Sequence, residues 1–272
     1  MDKIKYISVL GCGWLGFPLA KELRNKGFFV RGATTTTDKL SILKAEKIDP
    51  FLVQFNPSLT SNRGEEFFET DILIVNIPPK GKPELFLEQI KEIVKLIKKN
   101  EISHVLFVSS TSVYSEQNKE VTEENFPQPD SEVGKALLNA EELFMKLNGS
   151  KNTVIRFAGL TGPGRDPGRF LSGKKDISNG RAPVNLIHME DCIGLILSVI
   201  EKKCWGFRFN ACSPDHPSRE AFYQLAAKKG NFSTPEFKDE LLSWKKINSR
   251  NIPALLGYQY KVSDWMSWLN SL

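Results

Sequence analysis

Apolar residues in the first half of the chain follow two alternating patterns. Short continuous runs stand at Tyr6–Leu10 and at residues 28–33, 51–55, 71–77 and 104–108, as expected of strands buried on both faces of a parallel sheet. Between them, residues 17–26, 39–46 and 84–99 place apolar side chains at helical spacing; in the last, Phe86, Ile90, Ile93, Val94 and Ile97 form one stripe. Gly27 stops the first helix, Thr37 or Asp38 can cap the second, and Pro78-Pro79 ends the fourth strand abruptly. Strand and helix alternate without a break, which predicts an α/β fold built on a doubly wound, mostly parallel sheet.

From Gly159 onward the alternation loosens. Residues 161–185 are rich in Gly, Pro, Arg and Lys without a period, as in loops that pass over a site. Residues 191–201 read as a helix, 206–210 as a strand that rejoins the sheet, and 218–229 as a helix capped by Ser218. Trp265, Trp268 and Leu269 form the apolar side of a final helix over 262–272, suited to packing or to a contact between subunits. Residues 1–160, rejoined by about 186–210, are therefore expected to form one domain. Residues 161–185 and 211–272 form a smaller, substrate-side portion.

The 272 residues are 25% charged and 40% hydrophobic, with a net charge of +5. The excess positive charge comes from scattered lysine pairs such as Lys98-Lys99 and Lys228-Lys229, which suit solvated helix faces and not a nucleic-acid interface. Cys12, Cys192, Cys204 and Cys212 lack metal-ligand spacing, and no metal site is expected. No signal peptide precedes them, so reduced thiols in a cytoplasmic protein are the simplest account. No apolar run approaches the roughly 20 residues of a membrane span. A monomer or homodimer acting on a small molecule is the expectation.

The chemistry centres on Gly11-Cys12-Gly13-Trp14-Leu15-Gly16, a G-x-G-x-x-G turn between the first strand and helix. Gly11 permits a tight turn, Gly13 lets backbone approach a pyrophosphate, and Gly16 lets helix pack on sheet, which places the anion at the helix N-terminus. That is the Rossmann-type dinucleotide fingerprint; the competing reading is a tight turn with chance glycines. Where the second strand ends, a site for NAD commonly presents Asp or Glu to the ribose. Here Thr34, Thr35, Thr36 and Thr37 stand instead, with Arg31 and Lys39 near in sequence. Hydroxyls and cations favour the 2′-phosphate of NADP over NAD, although the same threonines also suit a loop with helix-capping hydroxyls. Gly13, Thr34, Pro78 and Ser110 all fall at strand carboxyl ends, where ligands of such sheets bind.

Val108-Ser109-Ser110-Thr111-Ser112-Val113-Tyr114-Ser115 resembles the S-S-x-x-V-Y-G segment of the extended short-chain dehydrogenases/reductases, the NAD(P)-dependent epimerases and dehydratases. Further pieces resemble that family in the same order. They are a long helix over 130–147, a sixth strand at Val154-Ile155-Arg156-Phe157, a G-P-G loop at Gly162-Pro163-Gly164-Arg165, an I-H-x-x-D segment ending at Asp191, and Leu256-Gly257 near the end. The resemblance implies Ser110 as proton relay and Lys135 as the lysine that holds the nicotinamide ribose. It also implies Ile77, Pro78, Pro79, Ser109, Phe157 and Gly159 among the cofactor contacts.

The family's catalytic Tyr lies four residues before that lysine, and this chain has Ser131 there. A serine hydroxyl is far less acidic than a phenol with a pKa of about 10 and cannot take over its proton transfer near neutral pH. The displaced first glycine and the Pro78-Pro79 pair are further departures, and both are similar to the atypical YeeZ-like subgroup, which is described as lacking the Tyr. Tyr114 and His188 are the available substitutes, although V-Y tyrosines usually pack and a loop His usually fixes its loop. His104 and His216 are poorly placed, and Glu141-Glu142 suits a solvated helix face. Arg165, Arg169 and Arg181 suit either solvent or an anionic substrate. Two functions follow: an NAD(P)-dependent oxidoreductase or epimerase-like enzyme, or a non-catalytic protein that senses NADP(H) or binds a partner.

Overall fold

The computed structural model describes residues 4–56, 58–79 and 82–272. In chain order the elements are β1 (Tyr6–Leu10), α1 (Gly16–Asn25), β2 (Phe29–Thr34), α2 (Asp38–Ala45), β3 (Asp49–Phe55), β4 (Leu59–Ser61), β5 (Ile72–Val75), α3 (Pro83–Lys99) and β6 (His104–Ser110). There follow β7 (Lys119–Val121), α4 (Glu132–Met145), β8 (Lys151–Phe157), β9 (Gly159–Thr161), β10 (Leu186–His188) and α5 (Met189–Glu201). The chain closes with β11 (Arg208–Ala211), α6 (Arg219–Lys229), β12 (Lys245–Ile247) and α7 (Trp265–Asn270). Two units are formed, one by Met1–Val113, Pro129–Ile155 and Ile196–Arg208, the other by Tyr114–Gln128, Arg156–Leu195 and Phe209–Leu272.

An eight-stranded sheet runs in the order β11-β8-β6-β5-β1-β2-β3-β4. Ile72, Leu73, Ile74 and Val75 are all fully buried, so β5 is the doubly covered strand that its unbroken apolar run predicts. β1 pairs in parallel with β2 and β5, and Leu10 stands level with both Ala33 and Val75. The chain leaves β1 first toward β2 and β3, then returns to its other side for β5 and β6. The order therefore reverses at β1, the switch point at which such sheets open a crevice beyond their carboxyl ends. Gly11, Thr34 and Asn76 emerge there together. The antiparallel edge strand β4, which pairs Val53 with Ser61, was not anticipated, because three residues carry no readable period.

Some expected boundaries shift. α4 spans Glu132–Met145 and not 130–147, because Ser131 caps its start in an extended conformation. α5 begins at Met189, directly after β10, so His188 ends a strand and does not lie in a loop. Thr37 holds the N-cap position of α2 without a side-chain hydrogen bond, whereas the Ser218 hydroxyl does cap α6 through the amide of Ala221 at 3.2 Å.

The second unit holds two small parallel pairs, β9 with β10 and β7 with β12. Its apolar core gathers Val184, Leu186, Phe222, Trp265 and Leu269, with Trp265 wholly buried. Asp191, also wholly buried, accepts hydrogen bonds from the Tyr258 hydroxyl at 3.0 Å and the amides of Lys261 at 2.7 Å and Val262 at 3.1 Å. That one carboxylate fixes the strap leading into α7. All four cysteines are free thiols. Among the described residues, no helix is long and apolar enough to cross a membrane.

Candidate functional site

At the carboxyl end of β1 the chain turns through Gly11, whose φ of 105° is a left-handed conformation that side chains resist. A Cβ on Gly11 would lie 2.4 Å from the Asn76 carbonyl oxygen, and one on Gly16 would lie 2.1 Å from the Gly11 carbonyl oxygen. Both positions are closed by backbone. Gly13 is the opposite: it is exposed, and a Cβ there would meet nothing within 4 Å. The turn is thus packed on the sheet side and open at its middle glycine, beside the first turn of α1, where the Phe17 amide donates to the Gly13 carbonyl at 3.0 Å and the Leu19 amide to the Leu15 carbonyl at 3.1 Å.

The turn is held by a residue that sequence reasoning missed. The Asn76 side-chain amide donates to the Gly11 carbonyl at 3.0 Å, and the Gly13 amide donates to the same oxygen at 2.8 Å. The signal was present as a polar residue interrupting the apolar run 71–77 just before its end. Ile77 lies against Gly11 from the same side, with Pro78 exposed just beyond. Cys12 is buried over Gly32, and burial pushes its thiol up to about 12 despite the opposing hydrogen bond from Ala33 and the charge of Lys39. It is a packing group and stays protonated at neutral pH.

The Thr34 hydroxyl is turned onto its own loop, where it accepts from the Thr36 amide at 3.2 Å. Thr35, Thr36, Thr37 and Lys39 are exposed around it. Arg31, which sequence proximity grouped with them, is committed elsewhere. Its guanidinium binds the carbonyls of Glu66, at 2.8 Å, and Glu69, and it stacks over the Tyr6 ring. The cationic contribution beside the threonines falls to Lys39.

At the end of β6, the half-buried Ser110 accepts the Ser112 amide at 3.2 Å, which closes a tight hydroxyl turn. Gly134 in the first turn of α4 presses against this turn, for a Cβ there would meet the Ser112 carbonyl oxygen at 2.5 Å. Ser110 and the start of α4 are thereby brought side by side. Ser131 is the N-cap of α4, and its hydroxyl accepts the Gly134 amide at 3.1 Å. Lys135 is exposed and its ammonium pairs with Glu132 at 2.7 Å. Ser109 turns inward and donates to Glu141 at 2.6 Å. Glu141 is wholly buried, which corrects its reading as a solvated position; Arg208 approaches its other oxygen at 3.9 Å, and the half-buried Glu142 pairs with Arg208 at 3.0 Å.

In the second unit, Tyr114 is buried with its hydroxyl between the Thr122 carbonyl at 3.1 Å and Asn210 at 3.2 Å, while buried Arg156 donates to it. That phenol is tied into the core. His188 is also buried; its Nδ1 accepts the Glu190 amide at 3.4 Å, its ring packs against Trp268, and burial lowers its pKa despite the nearby Glu190 and Asp191. His104 and His216 are lowered by burial too. Arg181 pairs with Asp239 on the surface. Phe157 is buried, whereas Gly159 borders a pocket of about 560 Å³ whose rim carries Arg165 and Arg169. Among the described residues, no group of three or more His, Cys, Asp or Glu is placed to hold a metal ion.

No family model matches the chain. It is 34% identical to Protein YeeZ of Escherichia coli K12 over 268 residues, which covers 96% of this chain and 97% of that one. Among solved structures, UDP-glucose 4-epimerase of Thermotoga maritima superposes with a TM-score of 0.76 at 17% identity over 98% of this chain and 99% of the epimerase. A short-chain dehydrogenase/reductase superfamily protein of Agrobacterium tumefaciens with bound NAD superposes with a TM-score of 0.75 at 15% identity over 98% and 95%.

Proposed function

The chain belongs to the YeeZ-like family, with the fold of the NAD-dependent epimerase/dehydratase type of short-chain dehydrogenase/reductase, and from that premise we propose that it binds NADP(H) in an oxidoreductase-type reaction on a small polar or sugar-like substrate. One observation carries the reading: within one tight turn, Gly11 and Gly16 are closed by backbone while Gly13 faces open space. A turn kept narrow for packing alone has no use for a glycine whose absent side chain leaves a hole. A pyrophosphate that must touch backbone does.

When bound, the nicotinamide supplies the hydride donor or acceptor. The protein's residues bind and orient. Asn76 holds the turn, the open backbone at Gly13 meets the anion at the N-terminal end of α1, and the exposed hydroxyls of Thr35 to Thr37 with Lys39 receive a 2′-phosphate. Ser110 and Lys135 line the neighbouring strand end, and the exposed Lys135–Glu132 pair is weak enough to be exchanged for a ligand hydroxyl.

A second reading, NADP(H) sensing without turnover, is favoured by Ser131. A hydroxyl spent on capping a helix leaves no acid in the place of the family's Tyr. Titration with NADPH and NADH, followed by a screen of carbonyl substrates for NADPH oxidation, separates the readings. Binding without oxidation supports sensing, and absence of binding removes both.

A further inference from the structure

The pocket of the second unit has a chemistry of its own. Its floor and walls are apolar: Leu160 from β9, Leu186 from β10, the buried Pro167, and the ring of Tyr223 on α6. Phe170, 75% exposed, stands at the mouth, and Arg165 and Arg169 stand on the same rim. These arginines are held by a rigid turn. The Asp166 carboxylate accepts the Gly168 amide at 2.8 Å, and Gly168 is seated on α6 so closely that a Cβ would lie 2.4 Å from the Ala226 carbonyl oxygen. The Arg165 carbonyl accepts the Thr161 hydroxyl at 3.2 Å.

Tyr223 supplies a hydrogen-bond donor at the same pocket. Its ring is fixed by edge contact with Phe222 at 5.1 Å and stacking on Phe237 at 6.5 Å, but its hydroxyl makes no hydrogen bond among the described residues. Burial raises its pKa, so it stays a neutral phenol, able to donate one hydrogen bond. Its oxygen is open to solvent and therefore accessible to a ligand in the pocket.

We infer that this pocket binds an amphipathic anion: a compact apolar or aromatic body against Leu160, Leu186 and Pro167, an acceptor atom at the Tyr223 hydroxyl, and a carboxylate or phosphate at Arg169. The class differs from a neutral sugar, whose many hydroxyls would lie against apolar walls without partners. The inference rests on the proposed function only in taking this ligand for the substrate. Binding itself is measured without dinucleotide, so either claim can fail alone.

The test is calorimetric titration of the full chain with phenyl phosphate and phenylacetate, which separate the two head groups, and with benzyl alcohol, inorganic phosphate and UDP-glucose. The account expects one of the two aromatic anions to bind, and expects benzyl alcohol and phosphate to bind at least tenfold more weakly. Arg169→Ala should weaken the anion about tenfold and Tyr223→Phe about threefold, with circular dichroism unchanged. The inference is overturned if neither aromatic anion binds, if binding survives the double substitution unaltered, or if UDP-glucose binds more tightly through the same residues.

Discussion

The backbone amide of Lys135 donates to the carbonyl of Ser131 at 3.0 Å, while the Ser131 hydroxyl accepts the amide of Gly134 at 3.1 Å. The residue four positions before the lysine is therefore the start of α4, and its side chain is occupied by the helix. Ser131→Ala removes the cap and is expected to cost about 1 kcal/mol of unfolding free energy in denaturant titrations. NADPH affinity should stay within twofold. A large loss of turnover with unchanged stability would instead assign Ser131 a chemical role.

Glu141 is the wholly buried counterpart of the half-buried Glu142. Glu141→Ala leaves the Ser109 hydroxyl and one side of Arg208 without their carboxylate, and about 2 to 3 kcal/mol of stability should be lost. Glu142→Ala, at the solvent-reached pair with Arg208, should change stability by less than about 1 kcal/mol. Chemical denaturation of both variants compares them directly.

Lys39 is the cation beside the exposed threonines, since Arg31 is bound to the carbonyls of Glu66 and Glu69. Lys39→Ala should weaken NADPH binding about fivefold, the scale of one exposed ion pair, and leave NADH nearly unaffected. Fluorescence titration with both nucleotides checks the contrast. Equal loss for both, or a wild-type preference for NADH, would remove the 2′-phosphate role.

Burial holds the pKa of His104, His188 and His216 below the ordinary 6.5. The unfolded chain then takes up protons more readily than the folded one as pH falls below that value, so unfolding becomes more favourable. Stability should be flat above about pH 7 and decline toward pH 5. In His188→Gln part of that decline should disappear; a stability that rises on acidification would contradict the sign.

The sequence carried much of this arrangement because the parallel core writes itself in continuous apolar runs. β5 was readable from Ile72 to Val75, and α6 from its Ser218 cap. What was hidden depends on distant partners. β7 and β12 are three-residue strands that pair Lys119 with Lys245 and have no period to detect. Glu141 looked like any helical glutamate until Ser109 was found against it, and Arg31 looked like a cofactor ligand until its carbonyl partners were in place. In the glycine turn, spacing marked the motif but could not say that Gly11 and Gly16 are closed while Gly13 is open, which is the distinction the proposed function rests on.

That distinction gives the most direct measurement. Gly13 has no positive φ and no neighbour for an added side chain, so Gly13→Val should fold with a melting temperature close to that of the wild type, yet fill the space required by a pyrophosphate. Parallel calorimetric titrations with NADPH should show micromolar binding to the wild type and at least a tenfold weaker signal in Gly13→Val. Failure of the wild type to bind either NADPH or NADH, or undiminished binding by a folded Gly13→Val, would contradict the account.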